Sequence, residues 1–342
     1  MRIKKQTQIK KNGLIIRLAI IVIALAALVI LPNFLSATRM TMISRIMVFS
    51  VYAMAYDILR GYTGFIHLGF ALFIGGGAYF VGILFVRVAT SWPMLLLAIL
   101  GTVVYSIFWA LLVGKVAASG GSVLATAMIT MAFGEIMRNM MERWRTVTNG
   151  ADGLNYKTPF PFSNRTFMYY LCFAFMVVML VVLFRFINSP TGRVLQGIRE
   201  NEQRAVFLGY NTNRARTIAL LVAGIAAGLS GIVYGLLNRF VNTDLLNMQM
   251  TYNAMLYSLI GGTGTLYGSI VGSTVVIFFQ DLLLNLRSLH PIFERWLLFF
   301  GALYIAVIMY MPQGIVGFYN SWKEKRMHKK MAQGAVVSQE KQ

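Results

Sequence analysis

The sequence predicts an all-α, polytopic transmembrane helical bundle, and three observations lead to this fold class. Of the 342 residues, 58% are hydrophobic and 12% are charged, whereas soluble domains carry about 25% charged residues. Windows of about 20 apolar residues, the length that crosses a bilayer as a helix, recur along the chain. Basic residues cluster at both termini. We therefore expect a multi-pass protein of the cell's inner or plasma membrane rather than a set of soluble domains.

Ten hydrophobic elements can be counted, so the bundle is predicted to have about eight to ten membrane elements. They cover residues 14–36, 41–59, 66–87, 92–114, 121–141, 166–187, 217–238, 251–261, 266–286 and 294–312. The first apolar run is long for the core of a cleaved signal peptide, which favours a retained helix. Elements that contain clustered glycines are expected to be discontinuous.

The positions of the charges predict the orientation. Residues 1–13 and 319–342 are basic and flank a membrane domain of residues 14–318, and short basic flanks stay in the cytoplasm. An even number of crossings agrees with both ends being cytoplasmic. It also puts residues 188–216 inside and residues 142–165 outside, although the outer loop is basic too. The net charge of +20 then suits anionic lipid rather than nucleic acid, which needs a basic face on a soluble domain.

Residues 188–216 form a polar segment with five arginines between two apolar elements. Ser189-Pro190 predicts a helix start, a helix follows from Arg193 to Leu208, and Gly209 predicts its end. One face of this helix is predicted to carry Val194, Ile198, Ala205 and Leu208. Such a short amphipathic helix can dock on another protein. The alternative is an ordinary charged loop.

Two glycine-rich stretches, residues 61–82 and 261–272, suggest broken helices. Gly61-Tyr62-Thr63-Gly64 has an echo in Gly261-Gly262-Thr263-Gly264, which suggests two related halves in parallel. Helix breaks at membrane depth are tolerated where they line a cavity or pack in protein. Close helix packing through small residues is the alternative. A dinucleotide fingerprint is excluded in the second stretch because its spacing is wrong and no strand precedes it.

Two ionisable residues inside the apolar elements, His67 and Glu135, each have two possible interpretations. His67 could be a proton or ligand group, or a packed residue. Glu135 could face the transport pathway, or form a structural pair with Arg138 three residues later. Asp57, Asp281 and Glu294 lie near predicted helix ends and are interpreted as solvated anchors. Cys172 is the single cysteine, so no disulfide or thiolate metal site is predicted.

Several blocks of the sequence resemble one known family. Residues 189–193, 198–202, 205 and 208–209 resemble the cytoplasmic coupling loop of the branched-chain amino-acid permeases, the LivM-like membrane subunits of ATP-binding-cassette importers. Residues 61–79, 131–136 with 148–154, 261–268 and 311–317 are similar to the family's other signatures, in family order. One departure is His67-Leu68-Gly69-Phe70, where the family usually has Ser-Leu-Gly-His.

The resemblance implies a permease that is not itself an enzyme. No Gly-x4-Gly-Lys-Ser/Thr phosphate loop occurs in the sequence, so the chain is not expected to hydrolyse ATP itself. The resemblance implies two separate ATPase subunits, which would bind ATP and Mg. A second, similar permease chain and a periplasmic or lipid-anchored solute-binding protein are the other implied partners. The residues expected to couple to the ATPase are Arg193, Arg199, Glu200, Asn201, Glu202, Ala205 and Gly209. Those expected at the pathway or at helix breaks are Gly61, Gly64, His67, Gly69, Glu135, Gly262, Gly264 and Gly268.

Three alternatives to a branched-chain amino-acid importer remain open. The same machinery could carry urea or short amides, and the sequence does not separate these substrates. An ion-coupled secondary transporter would use Glu135 or His67. A membrane-embedded enzyme is disfavoured because His67, His290 and His328 are scattered and no clustered catalytic set appears.

Overall fold

The computed structural model describes residues 28–118, 123–286, 296–311 and 314–318. The basic termini of residues 1–13 and 319–342, and residues 14–27 of the first predicted element, lie outside the described residues. The principal helices are α1 (Ala37–Asp57), α2 (Ala71–Arg87), α3 (Trp92–Ala118), α4 (Val123–Arg143), α5 (Arg165–Ile187), α6 (Pro190–Glu200), α7 (Glu202–Phe207), α8 (Thr212–Asn238), α9 (Met248–Gly261), α10 (Leu266–Leu286) and α11 (Trp296–Tyr310).

Short elements connect these helices. A π-helical turn, Ile58–Tyr62, extends α1, and 3-10 turns cover Leu31–Phe34, Gly150–Asp152 and Thr243–Leu246. A single α-helical turn covers Arg145–Thr148. Strands β1 (Leu154–Asn155) and β2 (Phe240–Val241) pair antiparallel, with Leu154 opposite Val241.

Five helices in the described part of the chain are long and apolar enough to cross a membrane, namely Ala37–Tyr62, Trp92–Val116, Arg165–Ile187, Thr212–Asn238 and Leu266–Leu286. They differ in burial: the most apolar stretch is 83% buried in α1 and 67% in α8, but 28% in α3 and 33% in both α5 and α10. Exposed leucines and valines on α3 and α5 suit a face that contacts lipid. Helices α1 and α8 therefore form the centre of the bundle, with α3, α5 and α10 around it.

The predicted elements from residue 41 onward match described helices, with three departures. The element at 66–87 becomes helical only at Ala71, because residues 64–70 form turns. The element at 121–141 is the helix α4, which is not among the membrane-length apolar helices since it carries Glu135, Arg138, Glu142 and Arg143. The element at 251–261 is the 14-residue helix α9, too short to cross a bilayer alone.

Glycines bring two pairs of helices, α2 with α8 and α9 with α10, into close contact. A Cβ atom on Gly77 of α2 would lie 2.8 Å from the carbonyl carbon of Gly228 in α8, and one on Gly231 would lie 2.9 Å from the backbone nitrogen of Ala78. In the second pair, a Cβ atom on Gly272 of α10 would lie 2.7 Å from the backbone nitrogen of Gly261 at the end of α9. Small residues allow this backbone approach, so the packing alternative for the glycine-rich stretches holds for much of their length.

The two ends of the bundle have different character. At one end, α1 reaches its π-helical turn next to Gly264, and the polar helices α6 and α7 connect α5 to α8. At the other end, Arg87 at the end of α2 donates to the Val147 carbonyl and to Asn149, 3.2 and 2.7 Å away. The β1–β2 pair lies there too, since a Cβ atom on Gly82 would contact Val241. Residues 188–216 and residues 142–165 are thus at opposite ends.

We predict that Gly231→Ala lowers the stability of the bundle, because the added methyl group meets the α2 backbone. Overpacking of this kind costs about 1 to 3 kcal/mol. Gly301→Ala in α11 is the matched control, since no atom of the described residues lies within 4 Å of its Cβ position. Thermal unfolding of the purified proteins in detergent, followed by tryptophan fluorescence, measures both. An unchanged midpoint for Gly231→Ala would contradict the close α2–α8 contact.

Candidate coupling site at the glycine breaks

Both predicted glycine breaks lie at the same place in the structure. Gly64, Gly262 and Gly264 have positive φ angles of 70°, 124° and 79°, a backbone conformation that favours glycine. A Cβ atom on Gly61 would lie 2.5 Å from the backbone nitrogen of Gly264, so the two breaks are in direct contact. The internal echo in the sequence therefore corresponds to two breaks that pack against each other.

Asp57 ties the first break to the second. Its carboxylate oxygen Oδ1 accepts hydrogen bonds from the Gly264 backbone N–H at 2.9 Å and from the Ser258 hydroxyl at 2.7 Å. Asp57 is fully buried, which corrects the interpretation of this residue as a solvated helix-end anchor. A buried carboxylate is stable only when hydrogen bonds or opposite charges compensate it. Arg199 and Arg60 act electrostatically on this carboxylate.

Arg199 connects the polar segment to this junction. Its Nη1 atom donates to the carbonyl oxygen of Gly61, and a Cβ atom on Gly264 would lie 3.0 Å from the same nitrogen. A Cβ atom on Gly64 would lie 3.6 Å from Arg199 Cγ. The side chain therefore lies across both breaks, and the lack of a side chain on Gly264 makes room for its guanidinium group.

The polar segment folds as two helices, so the prediction of one helix from Arg193 to Leu208 was wrong. Asn201 has extended backbone angles, φ −160° and ψ 104°, and separates α6 from α7. Its side chain caps α7 by accepting from the Arg204 backbone N–H at 2.9 Å. Ser189 caps α6 in the same way through the Gly192 N–H at 3.2 Å, as the Ser-Pro pair predicts.

Gly209 ends α7 as predicted. It has φ +85°, its N–H donates to the Val206 carbonyl at 2.9 Å, and the Tyr210 N–H donates to the Ala205 carbonyl at 3.2 Å. This pair of bonds is the Schellman motif, in which glycine takes the left-handed position. The turn redirects the chain into α8, whose N-cap Asn211 accepts from the Arg214 N–H at 2.9 Å.

The buried face of the segment differs in part from the predicted one. Ile198 and Ala205 are buried and Val194 is half-buried, as expected. Leu208, however, is 69% exposed, and Leu195 takes its place in the core. The reason is the break at Asn201, which changes the register between α6 and α7 so that one periodic face cannot continue through both. Phe207 is 90% exposed next to Leu208.

Apart from the buried Ala205, the other residues predicted for coupling are on the outer surface of this segment. Arg193, Glu200, Asn201 and Glu202 are exposed. Glu202 pairs with Arg216 at the start of α8, at 2.6 Å between Oε1 and Nη1. Only Arg199 among the predicted coupling residues reaches a glycine break by a described hydrogen bond.

Gly268 is a contact position inside a helix, which corrects the prediction of a helix break there, whereas Gly69 lies in the non-helical stretch of residues 64–70 before α2. Gly268 lies inside α10, where a Cβ atom would lie 3.0 Å from the Gly261 carbonyl oxygen. Gly69 lies in the turn before α2, and a Cβ atom on Gly134 of α4 would lie 3.1 Å from the Gly69 Cα. Gly61 lies within the π-helical turn, and its role is the close contact with Gly264.

His67 is completely buried in the turn between α1 and α2. Its ring lies 6.2, 6.0 and 5.9 Å from the ring centroids of Phe65, Phe70 and Phe73. Neither ring nitrogen has a hydrogen-bond partner among the described residues. The surroundings match the packed alternative, and a proton-carrying role for His67 stays a prediction.

Glu135 pairs with Arg138 at 3.0 Å, and Arg138 also pairs with Glu142 at 3.0 Å. This is the i, i+3 ion pair that the sequence offered as the structural alternative, extended by one more turn of α4. The pairs are partly exposed, and such pairs contribute about 0 to 1 kcal/mol. No described hydrogen bond joins Glu135 to the glycine breaks, so its pathway role stays a prediction.

Two parts of the junction were missed by sequence reasoning. Ser258 has no distinguishing local pattern. Asp57 does have a signal, because it is the one acidic residue in the first 134 positions and precedes the first break by four residues. Gly314, with φ +72°, also joins this junction, since a Cβ atom on it would lie 2.5 Å from the Gly262 nitrogen.

Comparisons with known proteins place the chain among transport subunits. Residues 38–308 match the family model described as branched-chain amino acid transport system, permease component. The permease protein LivM of the high-affinity branched-chain amino acid transport system of Salmonella typhimurium is 22% identical, over 87% of this chain and 74% of that protein. The Escherichia coli LivM protein is 21% identical over 89% and 76%.

A shorter match comes from a different transport system. The autoinducer 2 import system permease protein LsrC of Photorhabdus laumondii is 33% identical over 29% of this chain and 31% of that protein. The family model spans most of the chain, including α1, the polar helices, both glycine breaks and α10. This multi-pass membrane protein is a member of the family of permease components of branched-chain amino acid transport systems, which are transport subunits.

Proposed function

We propose that this chain is the translocation subunit of an ATP-driven importer for branched-chain or related hydrophobic amino acids. Separate ATPase subunits dock on α6 and α7. When these subunits close, they displace the two helices, and this displacement opens and closes the membrane helices. The observation that carries the proposal is the hydrogen bond from Arg199 to the Gly61 carbonyl. It gives a surface helix a direct mechanical link to both glycine breaks.

The proposed mechanism uses the junction as a hinge. When the ATPase pair closes, it displaces α6, and Arg199 transmits the displacement to the π-helical turn at the end of α1. Because Asp57 holds Gly264 and Ser258, α9 and α10 move together with α1. Glycines at positive φ absorb the backbone rotation at the breaks. Packed helices then change between two arrangements rather than deforming gradually.

The proposal includes the orientation and the remaining partners. Residues 1–13, 188–216 and 319–342 are cytoplasmic, and residues 14–318 form the permease domain. Two ATPase subunits, a second similar permease chain and a periplasmic or lipid-anchored solute-binding protein complete the transporter. ATP and Mg bind to the ATPase subunits. The supporting observations are the basic termini and the location of residues 188–216 at the end opposite to residues 142–165.

The branched-chain substrate is supported by the names of the LivM relatives. In this mechanism the binding protein supplies substrate selectivity and the permease needs weak affinity, because a tightly held solute would not be released. Urea and short amides are the alternative substrates.

We predict that Arg199→Glu abolishes uptake while ATPase binding and ATP hydrolysis continue. The charge-assisted bond to Gly61 is lost, and such a bond contributes about 1.5 to 3 kcal/mol, so we expect at least a tenfold fall in substrate transported per ATP. Proteoliposomes with the ATPase subunits and the binding protein measure both rates. Arg185→Gln, at the exposed end of α5, is the control. Wild-type coupling in Arg199→Glu would remove this residue from the mechanism.

We predict that Asp57→Ala destabilises the protein more than Asp57→Asn does. Alanine leaves the Ser258 hydroxyl and the Gly264 N–H buried without an acceptor, at a cost of about 1 to 3 kcal/mol for each group. Asparagine keeps an acceptor oxygen but loses the charge that faces Arg199. Thermal unfolding compares the two variants with Asp281→Asn, which changes a partly exposed carboxylate. Equal unfolding midpoints for Asp57→Ala and the wild-type protein would rule out a stabilising role for the hydrogen bonds that Asp57 accepts from Ser258 and Gly264.

We predict that substrate uptake requires ATP and does not depend on an ion gradient. Proteoliposomes that contain the complete transporter are loaded with ATP or with a non-hydrolysable analogue, and ionophores collapse the gradients. Labelled leucine, isoleucine and valine are compared with urea and acetamide. Uptake that persists without ATP and collapses with the ionophore would favour a secondary transporter instead. Uptake of urea or acetamide in place of the amino acids would change the substrate but not the mechanism.

A further inference from the structure

A polar cavity lies at the end of the bundle opposite to α6 and α7. It has a volume of about 390 Å³ and opens between the first turns of α1, the first residue of α5 and the last turns of α10. A water molecule takes up about 30 Å³ in the liquid, so the cavity has room for a group of several heavy atoms. We call it the α1–α10 cavity, and its charged lining residues are Arg45, Arg165 and Asp281.

The two arginines of the cavity have no charged partner in the described part of the chain. The ion pairs found there lie on α4 or join α7 to α8, so they include neither Arg45 nor Arg165. Arg45 acts electrostatically on the hydroxyl groups of Tyr234 and Tyr257, but these phenols carry no charge at neutral pH. The cavity therefore holds positive charge that the described residues do not neutralise.

Arg45 occupies a position where a charge is costly. It lies about 12 Å along α1 from Ala37, at a rise of about 1.5 Å per residue, and α1 is one of the membrane-length helices. An arginine within such a helix is stabilised by an opposite charge or by reaching the level of the lipid headgroups. Because the side chain is exposed and unpaired, its counter-charge has to come from outside the described residues.

The start of α1 adds backbone donors for an anion. Its N-cap Ser36 makes no side-chain cap hydrogen bond, whereas Asn164 caps α5 by accepting from the Thr166 N–H at 2.9 Å. The first N–H groups of an α-helix have no partner within the helix and attract anions. Ala37 and Thr38, in this uncapped first turn, line the cavity. Two guanidinium groups and a helix start thus surround a place for a phosphate or a carboxylate.

The α10 side of the cavity has the opposite chemistry. Asp281 and Gln280 line it there, and both side chains carry acceptor oxygens. Asn285 donates to the Asp281 carboxylate at 3.1 Å, which leaves acceptor sites on that carboxylate for further donors. A positively charged donor such as an ammonium group fits this side. The cavity as a whole is therefore complementary to a ligand that carries one negative and one positive group.

The surface around the cavity favours a ligand with apolar chains. The most apolar stretches of α5 and α10 are each 33% buried, as expected for helices that contact lipid. On α10, Phe278, Leu282 and Leu284 are 56, 43 and 44% exposed, and Leu284 also lines the cavity. A phospholipid can place its headgroup in the cavity and its acyl chains on this apolar surface. A free amino acid has the same two charged groups but would leave that surface uncovered.

We infer that the α1–α10 cavity binds the headgroup of a zwitterionic phospholipid with a primary ammonium group, which is the chemistry of phosphatidylethanolamine. The phosphate lies against Arg45, Arg165 and the start of α1, and the ammonium group donates to Asp281 and Gln280. The acyl chains follow the exposed apolar surface of α10. The bound lipid joins the central helix α1 to the peripheral helices α5 and α10. The inference goes beyond the proposed function, because it depends neither on the ATPase subunits nor on the transported substrate.

The test is native mass spectrometry of the full-length chain in detergent, titrated with three phospholipids that have the same acyl chains. Phosphatidylethanolamine has a donating ammonium group, phosphatidylcholine has a methylated one that cannot donate, and phosphatidylglycerol has none. We expect the first to bind at least tenfold more tightly than the other two. Arg45→Gln/Arg165→Gln should weaken its binding at least tenfold. The control Arg143→Gln/Arg145→Gln removes two exposed arginines at the same end and should bind as the wild type does.

Equal affinities of the two double variants for phosphatidylethanolamine would overturn the inference, as would tighter binding of phosphatidylglycerol to the wild type. Asp281→Asn is a milder second variant, should the arginine variant fail to fold. It should bring the affinities for phosphatidylethanolamine and phosphatidylcholine to within threefold of each other, with an unchanged unfolding midpoint in lipid-free detergent. A preserved preference in Asp281→Asn would contradict the ammonium contact. Excess leucine should leave the lipid bound, and displacement by leucine would make the cavity a substrate site and refute the lipid assignment.

Discussion

A buried carboxylate next to two helix breaks imposes the main constraint on this structure. Asp57 is removed from water, so its charge requires donors, and these come from Gly264 and Ser258, about 200 residues further along the chain. Such a group fixes the register between α1 and the α9–α10 pair, because any slip leaves a charge uncompensated. Arg199 adds a third element to the same junction. The polar helices, the centre of the bundle and its C-terminal half are thereby connected through one cluster of hydrogen bonds.

Glycine serves two different purposes around this junction. At Gly64, Gly262 and Gly264, positive φ angles turn the chain, and at Gly264 a Cβ atom would also lie 3.0 Å from Arg199 Nη1. At Gly77, Gly231 and Gly272 the backbone is helical, and the missing side chain lets two helices come into contact. In the proposed mechanism the first group lets the breaks rotate, while the second packs the helices on both sides closely together. Rigid helices joined at rotatable breaks are the arrangement that hinge motion requires.

The family membership and the geometry are complementary. The family identifies a transport subunit, and the proposed mechanism drives it by movement received from separate ATPase subunits. In the proposed mechanism, α6 and α7 are the surface that receives this movement, Arg199 is the link, and the paired breaks are the hinge.

The sequence by itself determined the fold class, most of the membrane-helix positions from residue 41 onward, and the caps at Ser189 and Gly209, because hydropathy and capping are local properties. It also contained the echo between the two Gly-rich tetrapeptides. Only the tertiary structure decided that these tetrapeptides touch, that Asp57 is buried between them, and that Asn201 divides the polar helix in two. The physical reason is that burial and long-range hydrogen bonds depend on which helices become neighbours. Periodicity along the chain carries no information about a partner some 200 residues away, so Ser258 and the reach of Arg199 to Gly61 could not be predicted.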